Sequence, residues 1–157
     1  MIIIADTSAL VALAICDVLG LLETLFDKVM VPKKVYDECI VANKSQAEKL
    51  KFFLHDKIKT TNKAETLSLP ANLGAGEISA MLLYKKTNAD YLLIDDNRAR
   101  KIARYNDINI IGSLGVLLLA KKEKLIKEIV PFLNKLEQSG LYISEQLVRE
   151  VKKTAKE

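Results

Sequence analysis

Two short apolar runs end on carboxylates. Near the start, Ile2-Ile3-Ile4-Ala5 runs into Asp6-Thr7-Ser8, and far along the chain Tyr91-Leu92-Leu93-Ile94 runs into Asp95-Asp96. Side chains just past the carboxyl ends of parallel strands line the crevice where α/β proteins bind ligands, so these two acidic ends are candidates for one site. Two further acids join them. From Pro32 onward, Val35, Cys39 and Ala42 fall at i, i+4 and i+7, and Glu38 lies beside that stripe while Asp37 points away. Glu38 therefore leans towards the core, where a carboxylate needs a cation, a metal or a hydrogen-bond donor. Glu77 follows Leu73-Gly74-Ala75-Gly76, in the first turn of a predicted helix. Each acid also has an ordinary structural reading, as a helix cap, a turn or a helix-dipole partner. Four acids at one edge are harder to explain that way.

The elements that must position these residues follow from periodicity. Apolar runs short enough for strands, at 2–5, 28–31, 57–60, 91–94 and 109–111, alternate with stretches of helical period. Ser8 is read as the cap of a first helix and Asp17 as the start of a second through Leu25. Pro32 is read as the first residue of a helix to about Ala42, and Asn43 or Ser45 as the start of the next. Further helices are expected from the Gly74 turn to about Lys86 and over 97–105, 113–122, 126–138 and 144–153, with 62–72 a loop. Strands alternating with helices predict a parallel sheet covered on both faces.

Composition narrows the function classes. A chain of 157 residues, half of them apolar, suffices for one domain with a sizeable core. No apolar run is long enough to span a bilayer, and Asp6 interrupts the N-terminal one, so neither a membrane protein nor a signal peptide is expected. Cys16 and Cys39 are far apart within apolar segments and read as small buried hydrophobes; the lone His55 makes no zinc site. A net charge of +4 and a pI near 9.0 permit an anionic partner.

Asp6-Thr7-Ser8, the helical Glu38, Gly76-Glu77 and Leu93-Ile94-Asp95-Asp96 together resemble the spaced acidic motifs of PIN-domain proteins, the fold of VapC-type toxin ribonucleases. The likeness spans nearly the whole chain. The run Leu92 to Lys101 and Ile111-Gly112-Ser113-Leu114-Gly115-Val116-Leu117 resemble one PIN-like subgroup in particular, from which Ala99 departs where glycine is common. The resemblance implies a single PIN-like domain over 1–157, an α/β/α sandwich with strand order 3-2-1-4-5. It implies a cytoplasmic, metal-dependent endoribonuclease, the toxin of a toxin–antitoxin pair being one such role. RNA, a small antitoxin and further copies of the chain are the implied partners. The alternative is a PIN-like module that binds RNA or protein with little or no catalysis.

By the same resemblance Asp6, Glu38, Glu77 and Asp96 or Asp95 hold the metal. Carboxylates alone repel a phosphodiester, whereas an all-oxygen set holding Mg²⁺ or Mn²⁺ attracts it and activates water. Thr7 and Ser8 are candidates for orienting Asp6, or for capping the first helix. Arg98, Arg100, Lys101 and Arg104 are candidates for flanking phosphates, with a solvated helix face the plainer reading for at least half of them. Leu114 to Ala120 reads as core, with a dimer interface as the alternative. Other strand-end acid chemistries fit less well. A haloacid-dehalogenase-type phosphatase needs an Asp where Ser8 stands, a receiver domain needs its acidic pair after the first strand, and a Rossmann module needs a glycine-rich turn there.

Overall fold

The computed structural model describes residues 1–60, 69–70 and 72–157. Five parallel strands, β1 (Ile2–Ala5), β2 (Lys28–Pro32), β3 (Ile58–Lys59), β4 (Tyr91–Leu93) and β5 (Ile110–Ile111), form one sheet in the order β3-β2-β1-β4-β5. Helices α1 (Thr7–Ile15), α2 (Gly20–Leu25), α3 (Lys33–Cys39), α4 (Ala47–Leu54), α5 (Ala75–Thr87), α6 (Asn97–Tyr105), α7 (Ser113–Lys122), α8 (Val130–Gln138) and α9 (Glu145–Ala155) flank it, giving the expected three-layer sandwich.

The central strand explains the opening sequence. β1 pairs with β2 on one side, Ile3 opposite Val29, and with β4 on the other, Ile4 opposite Leu92. A parallel strand covered on both faces carries apolar residues without alternation, and Ile3, Ile4 and Ala5 are fully buried. The ladder continues one residue further, because the Asp6 amide donates to the Leu93 carbonyl at 2.9 Å. Asp6 is therefore held by the sheet itself, at the carboxyl edge and beside the end of β4.

Several element boundaries differ from the expectation, each for a local reason. Strand β2 continues through Pro32, which is extended and stands just before the helix, so α3 opens at Lys33 and closes at Cys39 rather than Ala42. Asp17 has a left-handed φ of 59° and Gln46 one of 70°, so α2 and α4 begin only beyond them. Helix α8 begins at Val130 rather than Ile126: Pro131 sits in its first turn, where a missing N–H costs nothing, and Lys124 upstream is left-handed. Ser144 is the cap of α9, its hydroxyl accepting from the Leu147 amide at 3.2 Å. The strand at 57–60 shortens to two residues, and Ile94 and Asn109 lie just outside β4 and β5. The predicted loop over 62–72 falls mostly outside the described residues.

Within Leu114 to Ala120, Val116, Leu117 and Ala120 are fully buried, Leu114, Leu118 and Leu119 are partly buried, and Leu117 packs with Ile129, Leu133, Val151 and Ala155. Cys16 and Cys39 are buried free thiols, and burial pushes both up to about 11. His55 is on the surface, its ring nitrogen 2.6 Å from the Phe52 carbonyl. Among the described residues no helix is long and apolar enough to cross a membrane.

Candidate active site at the carboxyl edge of the sheet

Asp6 occupies the N-cap position of α1, yet its carboxylate makes no side-chain capping bond of the usual kind to that helix. It is 3% exposed, and burial, followed by the nearby charges of Glu77 and Glu38, raises its pKa to about 6. The Thr7 amide and the Ser8 hydroxyl oppose that rise by hydrogen bonding. Three carboxylates from β1, α3 and α5 thus share one electrostatic neighbourhood, and among the described residues no Lys or Arg forms an ion pair with any of them.

The residues around Asp6 tie these elements together. Thr7 Oγ1 donates to Glu38 Oε2 at 2.7 Å. Ser8 does not cap the helix, because the chain turns helical one residue earlier. Its hydroxyl donates to Asp6 Oδ2 at 3.3 Å and accepts from the Asp95 amide at 3.4 Å, bridging the ends of β1 and β4. Glu77 is the third residue of α5 and reaches back to the Gly74 amide at 2.9 Å, one half of a capping box that glycine has no side chain to complete.

Asp95 and Asp96 make hydrogen bonds at helix termini. Both Asp95 oxygens are engaged by Ser113, Oδ1 by its amide and Oδ2 by its hydroxyl, each at 2.7 Å. Asp95 therefore fastens the start of α7 to the end of β4. Asp96 caps α6 through Oδ1, which accepts from the Ala99 amide at 2.8 Å, and its other oxygen makes no hydrogen bond among the described residues. The structure brings Asp6, Glu38 and Glu77 together, and brings the backbone of Asp95 to Ser8. It engages both carboxylate oxygens of Asp95 at α7 and one oxygen of Asp96 at α6.

The basic cluster divides in two. Arg98 Nη2 donates to the Asn72 carbonyl at 2.9 Å, and Arg100 Nη1 donates to the Ile94 carbonyl at 2.8 Å, so both guanidinium groups are tied to the scaffold. Lys101 and Arg104 are exposed and make no ion pair among the described residues. Sequence reasoning missed Ser113 as the partner of Asp95, although a serine opening a helix is a recognisable signal.

Among the described residues no three acidic, His or Cys side chains are drawn close enough to form a finished metal-ligand set. The chemistry of the donors nevertheless fits a hard divalent cation: all are carboxylate oxygens, one is buried, and no basic side chain among the described residues neutralises them. A family model described as PIN domain matches residues 2–157, and the chain belongs to that family. PIN domains are nuclease-type folds and generally use divalent metals. No curated protein matches the chain.

Proposed function

We propose that the protein is a divalent-metal-dependent endoribonuclease whose site is built on Asp6, Glu38 and Glu77, with Asp96 completing the set through its second oxygen. The observation that carries this reading is the Asp6 carboxylate, buried in company with Glu77 and Glu38 and without a basic partner among the described residues. Such a cluster is disfavoured until a cation joins it. A bound Mg²⁺ or Mn²⁺ supplies an activated water and neutralises charge developing on phosphorus.

The chain's own groups have distinct roles in this reading. Asp6, fixed by its amide in the sheet, presents the central carboxylate. Thr7 holds Glu38 and Ser8 holds Asp6, so neither acid swings freely. Exposed Lys101 and Arg104 on α6 attract the anionic RNA backbone, in keeping with the net charge of +4. Arg98 and Arg100 maintain the shape of that corner instead. The reading as a binding module with little catalysis draws on the hydrogen bonds that Glu38 and Glu77 already accept from Thr7 and Gly74.

Melting curves with Mn²⁺ and with EDTA, beside cleavage of a fluorescent RNA, decide between the two. The parent is expected to melt higher with Mn²⁺ and to cleave RNA only when metal is present. Asp6→Asn should lose both responses while the metal-free protein melts no lower than the parent. A parent without a metal shift or EDTA-sensitive cleavage leaves the binding module.

A further inference from the structure

The carboxylate of Glu38 lies against the backbone of Gly76. A Cβ at Gly76 would stand 2.6 and 2.7 Å from the two Glu38 oxygens and 2.9 Å from its carboxyl carbon, and these are the three nearest heavy atoms it would meet. The glycine is not there for backbone freedom. Gly76 is the second residue of α5, and Gly140 is the glycine with a positive φ. In a helix, alanine is the better former, so a glycine here gives up helix propensity. What it provides is room. One of the same two oxygens, Glu38 Oε2, accepts from the Thr7 hydroxyl at 2.7 Å. Placed against the first turn of α5, the Glu38 charge also meets the positive end of that helix.

We propose that Gly76 is a positioning residue: its missing Cβ seats the Glu38 carboxylate beside Asp6, and a methyl group in that place evicts it. The seat itself rests on geometry, and its consequence for catalysis rests on the metal-dependent reading above. The colliding atoms are the far end of a flexible side chain, so Gly76→Ala is accommodated by rotation of Glu38 and not by unfolding.

The seat is tested without metal by a double-mutant cycle. Gly76→Ala, Thr7→Val and the double variant are melted in EDTA. In the parent, Thr7→Val removes the hydrogen bond to Glu38 and lowers the melting temperature. In the Gly76→Ala background Glu38 has already left Thr7, so the same change produces a clearly smaller drop. Equal drops in both backgrounds overturn the proposal. If Gly76→Ala itself melts well below the parent, adding Glu38→Ala is expected to restore the loss, and no restoration overturns it. The functional arm is a Mn²⁺ titration of Gly76→Ala, expected to show affinity weakened by roughly tenfold or more in a protein that remains folded. Equal Mn²⁺ affinity in parent and variant overturns the positioning role. A parent that ignores Mn²⁺ while the cycle is non-additive upholds the seat and removes the metal-dependent reading instead.

Discussion

Thr7 Oγ1 donates to Glu38 Oε2 at 2.7 Å, joining the first turn of α1 to the last turn of α3 beside the buried Asp6. Because α1 follows β1 directly, this bond transmits the position of the central strand to a carboxylate on a different helix. Thr7→Val keeps the shape and removes the donor. It is expected to cost about 1 kcal/mol of stability and to weaken Mn²⁺ binding roughly 10- to 100-fold, whereas Thr7→Ser should stay near the parent. Urea denaturation and a Mn²⁺ titration of each variant provide the check, and a parent-like titration for Thr7→Val would show that Glu38 needs no such anchor.

Asp6 makes the metal-free fold sensitive to pH in an unusual direction. Its folded pKa is raised from 3.8 to about 6, so the native state holds the proton more tightly than the unfolded chain. The associated stability is fully present below the unfolded value and is lost as pH rises through about 6, by up to about 3 kcal/mol. Exposed Asp17, Asp27 and Asp56, whose pKa values are lowered by basic partners, contribute in the opposite sense at lower pH. The difference between the parent and Asp6→Asn isolates the effect of Asp6: in EDTA, the parent should lose stability relative to the variant between pH 4 and pH 6.5. A constant difference across that range would mean that Asp6 is not buried among other carboxylates.

Asp95 and Asp96 are adjacent but separable. Asp95 accepts two bonds from Ser113, so Asp95→Ala should destabilise the protein by about 1 to 3 kcal/mol through the lost attachment of α7. At Asp96 the cap and the proposed metal role can be divided by chemistry. Serine is also a good N-cap, so Asp96→Ser should retain most of the stability while weakening Mn²⁺ binding. Asp96→Ala should lose about 1 kcal/mol as well. An undiminished Mn²⁺ response in Asp96→Ser would leave that residue only its cap.

The four basic residues after β4 should fall into two groups in RNA binding. Lys101→Ala and Arg104→Ala are expected to raise KM with kcat nearly unchanged, each reducing the salt dependence of binding by about one unit of slope. Arg100→Ala should instead act on stability, since its guanidinium holds the Ile94 carbonyl at 2.8 Å. Binding isotherms at several salt concentrations, compared with denaturation curves, distinguish these outcomes. Lys101 and Arg104 variants with unaltered salt slopes would place the RNA elsewhere.

How much of this was legible in the chain follows the range of the forces involved. The run Ile2 to Ala5 announces a strand covered on both faces because burial acts on each residue of a parallel strand, and 97–105 and 113–122 carry enough helical period to show both ends of α6 and α7. The starts of α2 and α4 are not legible because they follow left-handed Asp17 and Gln46, a conformation that no apolar pattern encodes. The start of α8 is legible in Pro131, which sits in its first turn. Acidic residues at the ends of β1 and β4 and on α3 and α5 are visible in the sequence as candidates. Their division of labour is not. The sheet order sets the end of β4 beside β1, the packing of α3 against α1 and α5 brings Glu38 within reach of Thr7 and Gly76, and the arrival of Ser113 engages both oxygens of Asp95. Local backbone preference acts over a few neighbours and can be read along the chain, whereas the fate of a carboxylate depends on charges and donors that only the folded chain brings near it.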